Sequence, residues 1–139
     1  MFETKEGEIK PIVYVGVINK DKLLLVDYKN APNPTKSGWW IPAPGLQYGE
    51  DPTETATEVL RDLGFANAAP KLHHVESFVL PGGWHLIFHF ACKVSGEASL
   101  GENYNKHKWV TIAELAEMKD LAHGKWEIGV GQSYLSPSQ

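Results

Sequence analysis

The spacing of apolar and polar residues changes several times along the chain, and each change predicts an element. Residues 11–19, PIVYVGVIN, are mostly apolar, with β-branched and aromatic residues prominent, and KLLLVDY follows after the polar turn Asn19-Lys20-Asp21-Lys22. Two such runs around a polar turn predict a β-hairpin. Residues 29–38 are rich in Pro, Asn, Ser and Gly and predict a loop. WWIP, residues 39–42, predicts a short strand cut off by proline, and APGLQYGEDP predicts a second loop. The period then shifts to 3.6. Ala56, Val59, Leu60 and Leu63 share one helix face, with Glu54, Glu58, Arg61 and Asp62 opposite. Asp51 or Thr53 suits the N-cap, Pro52 the first turn and Gly64 the stop.

Further on, LHHVESFVL and GWHLIFHFACKV read as strands joined at Pro81-Gly82-Gly83, a second hairpin. SGEASLGENYNKH predicts a loop. KWVTIAELAEMKD begins as a strand and becomes a helix near Ile112, with Thr111 as its cap. GKWEIGVGQSYLSPSQ has no strong period, and residues from about 133 to 139 read as a flexible tail. Hairpin-joined strands with few helices predict an α/β (α+β) fold, a mixed-sheet sandwich rather than a doubly wound sheet. A length of 139 residues suits one domain spanning the chain.

Composition narrows the function classes. Apolar residues at 42% and charged residues at 22% are those of an ordinary soluble domain. A net charge of −4 argues against a nucleic-acid backbone as the main partner, because that partner calls for a basic face. The single cysteine, Cys92, lies in an apolar run and reads as a small buried hydrophobe, which suits a reducing, cytoplasmic location. No apolar run approaches the roughly 20 residues that span a bilayer, so no membrane association is expected.

The candidate chemistry lies on the central helix. Glu54, Glu58 and Asp62 are spaced by four and share one face, within reach of a common cation. Mg²⁺ and Mn²⁺ take oxygen ligands and commonly sit between carboxylates and substrate phosphates. A solvated charged face is the other account of the same spacing. Arg61, the only arginine, cannot ligate a cation. It either pairs with Glu58 at i−3 or contacts a substrate phosphate. His85 and His89 share one strand face with Ile87 between them, and a substrate-facing role fits them better than a metal site. Trp39, Trp40, Trp84 and Tyr104 are candidates for stacking on a ring, with a core or rim position as the other account, and alternation turns one of Trp39 and Trp40 to the core.

The stretch from Trp40 to Phe65 resembles the box of the Nudix hydrolase (MutT-like) superfamily. That box reads G-x5-E-x7-R-E-U-x-E-E-x-G-U, with U a bulky aliphatic residue, and lies in a loop–helix–loop after a Trp-containing strand. Trp40, Pro42 and Gly49-Glu50 supply the approach, and Trp109, Val110, Glu114 and Leu115 look like the family's late W-V-x-x-x-E-L element. The resemblance spans residues 9–118. The box is degenerate: Pro44 replaces its first glycine, and Glu50 to Gly64 is one residue short. Aligned from Gly64, Glu58 and Asp62 take ligand positions, Arg61 replaces a glutamate and Thr57 replaces the arginine. Aligned from Glu50, Asp62 again takes a ligand position.

The resemblance implies a Nudix-like α/β/α sandwich and a hydrolase using Mg²⁺ or Mn²⁺. Its substrate would be a small molecule, a nucleoside diphosphate linked to another moiety. Glu58, Asp62 and Glu54 would be catalytic. Glu58 and Asp62, with Glu102 or Glu50, would hold metal. Arg61, Trp40, His85 and His89 would face substrate. Glu97 is a weaker candidate for the later-loop acid than Glu102. Because Arg61 and Thr57 break the box, the alternative is an inactive module of the same fold that binds a phosphorylated ligand. A homodimer is the default assembly.

Overall fold

The computed structural model describes residues 7–136. Five strands form one mixed sheet: β1 (Ile9–Asn19), β2 (Lys22–Tyr28), β3 (Lys71–Leu80), β4 (Gly83–Lys93) and β5 (Tyr104–Val110). Their order is β3-β4-β1-β2-β5, with β1 and β4 parallel and the other neighbours antiparallel. Three helices complete the fold: α1 (Pro52–Asp62), α2 (Ile112–Glu117) and α3 (Lys125–Leu135). Among the described residues no helix is long and apolar enough to cross a membrane.

β1 and β2 pair beside their turn, Ile18 with Leu23 and Asn19 with Lys22, and then part. Residues 39–46 wedge between them. Trp40 bridges to Val26 and Gly45 to Ile12, so the expected strand at 39–42 is instead an insert with isolated bridges. Proline explains this. Pro42 and Pro44 have no N–H, and their carbonyls accept from Val15 at 2.9 Å and Val13 at 3.0 Å. The donors of the residues preceding each proline go to side chains: Ile41 N–H to Glu127 at 2.7 Å and Ala43 N–H to the Tyr28 hydroxyl at 2.9 Å.

The local signals of α1 operate as expected. Asp51 accepts the Glu54 N–H at 3.0 Å, and Pro52 opens the helix. At the other end Gly64, at φ +91°, closes a Schellman arrangement in which Phe65 N–H donates to Leu60 O and Gly64 N–H to Arg61 O. A Cβ on Gly64 would also come within 2.8 Å of Ser99, so this glycine answers two constraints. The free carbonyls of Asp62 and Leu63 accept from Gly101 and Ser99. Ala56, Val59 and Leu60 bury against the sheet over β1.

Alternation in β1 sends Val13, Val15 and Val17 towards α1, and Tyr14 and Gly16 to the opposite face. That face is covered by α3, an element the sequence pattern misses. The supposed tail is helical through Leu135, and residues 137–139 lie outside the described residues. The glycines that blur the pattern let α3 dock closely. A Cβ on Gly131 would collide with the Leu115 side chain, and one on Gly16 would lie 2.5 Å from the Tyr134 ring. Tertiary packing here overrides poor helix propensity. α2 opens on the expected cap, Thr111, which forms a capping box with Glu114. β5 begins at Tyr104, inside the segment that reads as loop, because residues 104–107 pair with the far end of β2.

His89 lies under α3, 3% exposed. Its Nε2 is 2.6 Å from Glu76 and its Nδ1 is 3.2 Å from the Tyr134 hydroxyl. Burial, partly offset by the hydrogen bond and charge of Glu76, pushes its pKa below the ordinary value.

Two measurements check this packing. Gly16→Ala should cost about 1–3 kcal/mol in urea unfolding through overpacking against Tyr134, and a Tyr134→Ala background should absorb most of that loss. The lowered His89 pKa means that the folded state binds fewer protons than the unfolded chain below about pH 6.5. Stability should therefore fall as the pH drops from about 7 through that value, and His89→Gln should flatten the slope.

Candidate active site

A cleft of about 620 Å³ opens beside α1. One wall is the helix face bearing Glu54, Glu58 and Asp62. The loop before the helix adds Gln47, Gly49, Glu50 and Asp51, and Tyr28, Asn103 and Tyr104 complete the lining. Five acidic side chains line this space, with no Lys, Arg or His among them. Glu50 closes its own turn, accepting the Gln47 N–H at 2.7 Å, while its own N–H donates to Gln47 O at 3.0 Å. Asn103 Nδ2 donates to Asp62 Oδ2 at 3.3 Å. Burial pushes the Tyr28 and Tyr104 phenols up, and the charge of Asp62 adds to the effect at Tyr104. Both stay protonated at neutral pH.

Glu50, Glu54, Glu58 and Asp62 are thus brought to one cavity. The other expected residues are not. Arg61 lies off the lining, its guanidinium 2.5 Å from Glu58 on the exposed side of the helix. Glu102 is exposed and outside the lining, and its loop sends Asn103 to Asp62 instead. Glu97 is engaged elsewhere. The Trp109 indole N–H donates to it at 2.6 Å and His107 lies at 2.9 Å, which together hold its carboxyl down at about 2. Trp40 is 3% exposed, edge-on to Tyr28 and His123, and has no surface to offer a ligand.

His85 and His89 do share a strand face, but it is the face under α3. His89 pairs in register with Tyr14, and both rings pack on Trp126 of α3. His85 stacks on Phe78 at 5.3 Å. The sheet separates both histidines from the acidic cleft. Cys92 is buried, and burial pushes its thiol up, which disfavours the reactive thiolate. Tyr104, one of the aromatics the sequence offers for stacking, lies in the lining, whereas the sequence does not single out Tyr28 or Asn103. The only local signal for Asn103 is that it adjoins Glu102.

The donors on this wall are carboxylate oxygens, the type a hard cation takes. Among the described residues no three His, Cys, Asp or Glu side chains stand close enough together to hold an ion. Glu58 is drawn aside by Arg61. The donor chemistry fits a divalent cation, although the ligand cage is not preformed.

No protein-family model and no curated protein matches the sequence. Solved structures do match. A MutT protein from Methanosarcina mazei Go1 superposes with a TM-score of 0.72 at 18% identity, covering 94% of this chain and 96% of that one. A Nudix family hydrolase from Clostridium perfringens gives 0.68 at 16% identity, covering 90% and 95%. An Ap4A hydrolase from C. elegans gives 0.67 at 12% identity, covering 90% and 94%. Likeness over nearly the full length of each, at such low identity, is likeness of fold: the chain has the Nudix hydrolase fold.

Proposed function

We propose that the cleft is a divalent-cation-dependent site that hydrolyses a phosphoanhydride in a small phosphorylated ligand, a nucleoside diphosphate linked to another moiety. The observation that carries this reading is the five acidic side chains lining the cleft with no basic side chain in that lining. A diphosphate cannot approach such a wall alone, because like charges repel steeply where water is partly excluded. It enters with cations that neutralise both sides. The same observation weighs against a metal-free module in which Arg61 clasps phosphate, since Arg61 lies off the lining and is held by Glu58.

Glu58, Asp62 and Glu54 are the residues that would hold Mg²⁺ or Mn²⁺, with Glu50 on the facing loop. The cation, when bound, supplies charge neutralisation and lowers the pKa of a water. Asn103 orients Asp62, and the Tyr104 hydroxyl is a donor for the ligand. Glu58 must leave Arg61 to take part. Both side chains are more than half exposed, and a pair of that kind is worth at most about 1 kcal/mol, so the exchange costs little. The likeness to hydrolases of this fold supports the reading, and a buried, inert Cys92 suits the cytoplasm.

The test is turnover. With Mn²⁺ or Mg²⁺ the protein should hydrolyse at least one member of a panel of nucleotide sugars, dinucleoside polyphosphates and deoxynucleotides. EDTA should abolish the activity, and Asp62→Asn should lower kcat/KM by about tenfold or more. Metal-independent ligand binding that Arg61→Ala destroys, with no turnover, would establish the binding module instead.

A further inference from the structure

Seven large hydrophobic side chains are exposed among the described residues, and four of them lie on β3. Leu72, Val75, Val79 and Leu80 are 58%, 42%, 78% and 49% exposed. β3 is a sheet edge and ten residues long, so one side of its backbone is available for pairing. The opposite edge is guarded. On β5, Lys106 and Lys108 lie over the Trp39 ring at 5.3 and 4.8 Å, and edge lysines discourage strand addition. β3 carries one lysine, Lys71, at its first position. Its valines extend an apolar strip on the sheet: Val75 stands opposite Phe88 and Val79 opposite Trp84, and both of those rings are half-buried. This is the face on which α1 packs, but α1 lies over β1.

We propose that β3 is a homodimer interface, where a second copy of this chain pairs its own β3 antiparallel about a two-fold axis at Val75. A strand that meets itself across a two-fold must be self-complementary. An axis at Val75 sets Val75 against Val75 on the apolar face. It sets His74 against Glu76 twice on the other face, where those residues stand opposite His89 and Ile87 of β4. Opposite polar partners of this kind favour the register. Moving the axis one residue, to Glu76, would set carboxylate against carboxylate, which disfavours that register. The charge pattern of the strand thus suits pairing with its own copy and favours the axis at Val75 over that at Glu76.

Light scattering or sedimentation should give twice the chain mass for the wild-type protein. The double variant V75K/V79K should give the chain mass, with circular dichroism and unfolding midpoint showing that it still folds. K106A/K108A, at the guarded edge, should remain dimeric. A second measurement reads the register directly. Residues opposite one another in an antiparallel pair have Cα atoms about 4.5–5.5 Å apart, within reach of a disulfide. V75C should therefore form a linked dimer on oxidation and V79C should not. The one native cysteine, Cys92, is buried and gives no background. A wild-type monomer at every concentration overturns the proposal, whether or not it takes up some other protein. So does a dimer indifferent to V75K/V79K, or cross-linking through V79C in place of V75C.

Discussion

One buried carboxylate ties the wedge between β1 and β2 to the chain that enters α3. Glu127 is fully buried; one oxygen accepts the Ile41 N–H at 2.7 Å and the other accepts the His123 N–H at 2.8 Å. The first bond secures the proline-bearing wedge between β1 and β2, and the second secures the chain entering α3. An unpartnered buried N–H costs about 1–3 kcal/mol, and the wedge has two donors that no strand can take. Glu127 meets one and Tyr28 the other. The remaining geometry follows in sequence. The wedge fixes the path through Gly45, the turn closed by Glu50 delivers Asp51, and Asp51 caps the helix that presents the acids.

The cleft is therefore assembled from chain ends rather than from the middle of the sheet. The loop before α1 supplies Glu50, and the loop that ties down the other end of α1 through Ser99 and Gly101 supplies Asn103. The sheet acts as a partition. Its pleat sends the apolar valines of β1 towards α1 and sends Tyr14 and His89 towards α3, so two polar clusters stand on opposite faces. One is acidic and open. The other, around Glu76, His89 and Tyr134, is internally hydrogen-bonded, and its Glu76 and His89 border a separate cavity of about 630 Å³ beside α3.

What the sequence makes legible is what is encoded locally. Asp51, Pro52 and Gly64 bound α1 within a residue or two, Thr111 and Glu114 mark α2, and Glu54, Glu58 and Asp62 reach one wall because helical spacing requires it. The missing parts are set by distant contacts. α3 has two glycines and no apolar stripe, and it forms because Gly16 and Gly131 let it dock. Without α3 there is no way to know that His85 and His89 face away from the cleft, or that Glu127 has a partner 86 residues away. Alternation places one of Trp39 and Trp40 inside, and the bridge to Val26 decides for Trp40. In the later loop Asn103, and not the neighbouring Glu102, turns to Asp62, because local sequence does not determine which of two adjacent loop side chains turns inward.

Arg61 then has an electrostatic account. Three acids spaced by four on one exposed helix face repel one another, at a few tenths of a kcal/mol for each such pair. A cation between them removes that cost, and so does a positive side chain built into the helix. Arg61 sits at i+3 from Glu58 and pairs with it on the solvent side, leaving the cleft itself wholly acidic. Arg61 thus relieves the helix without placing positive charge in the cavity. On the proposed function its consequence is competition: a cation held by this wall would have to draw Glu58 from a partner that is always present, and a diphosphate arriving with it would add oxygens of its own.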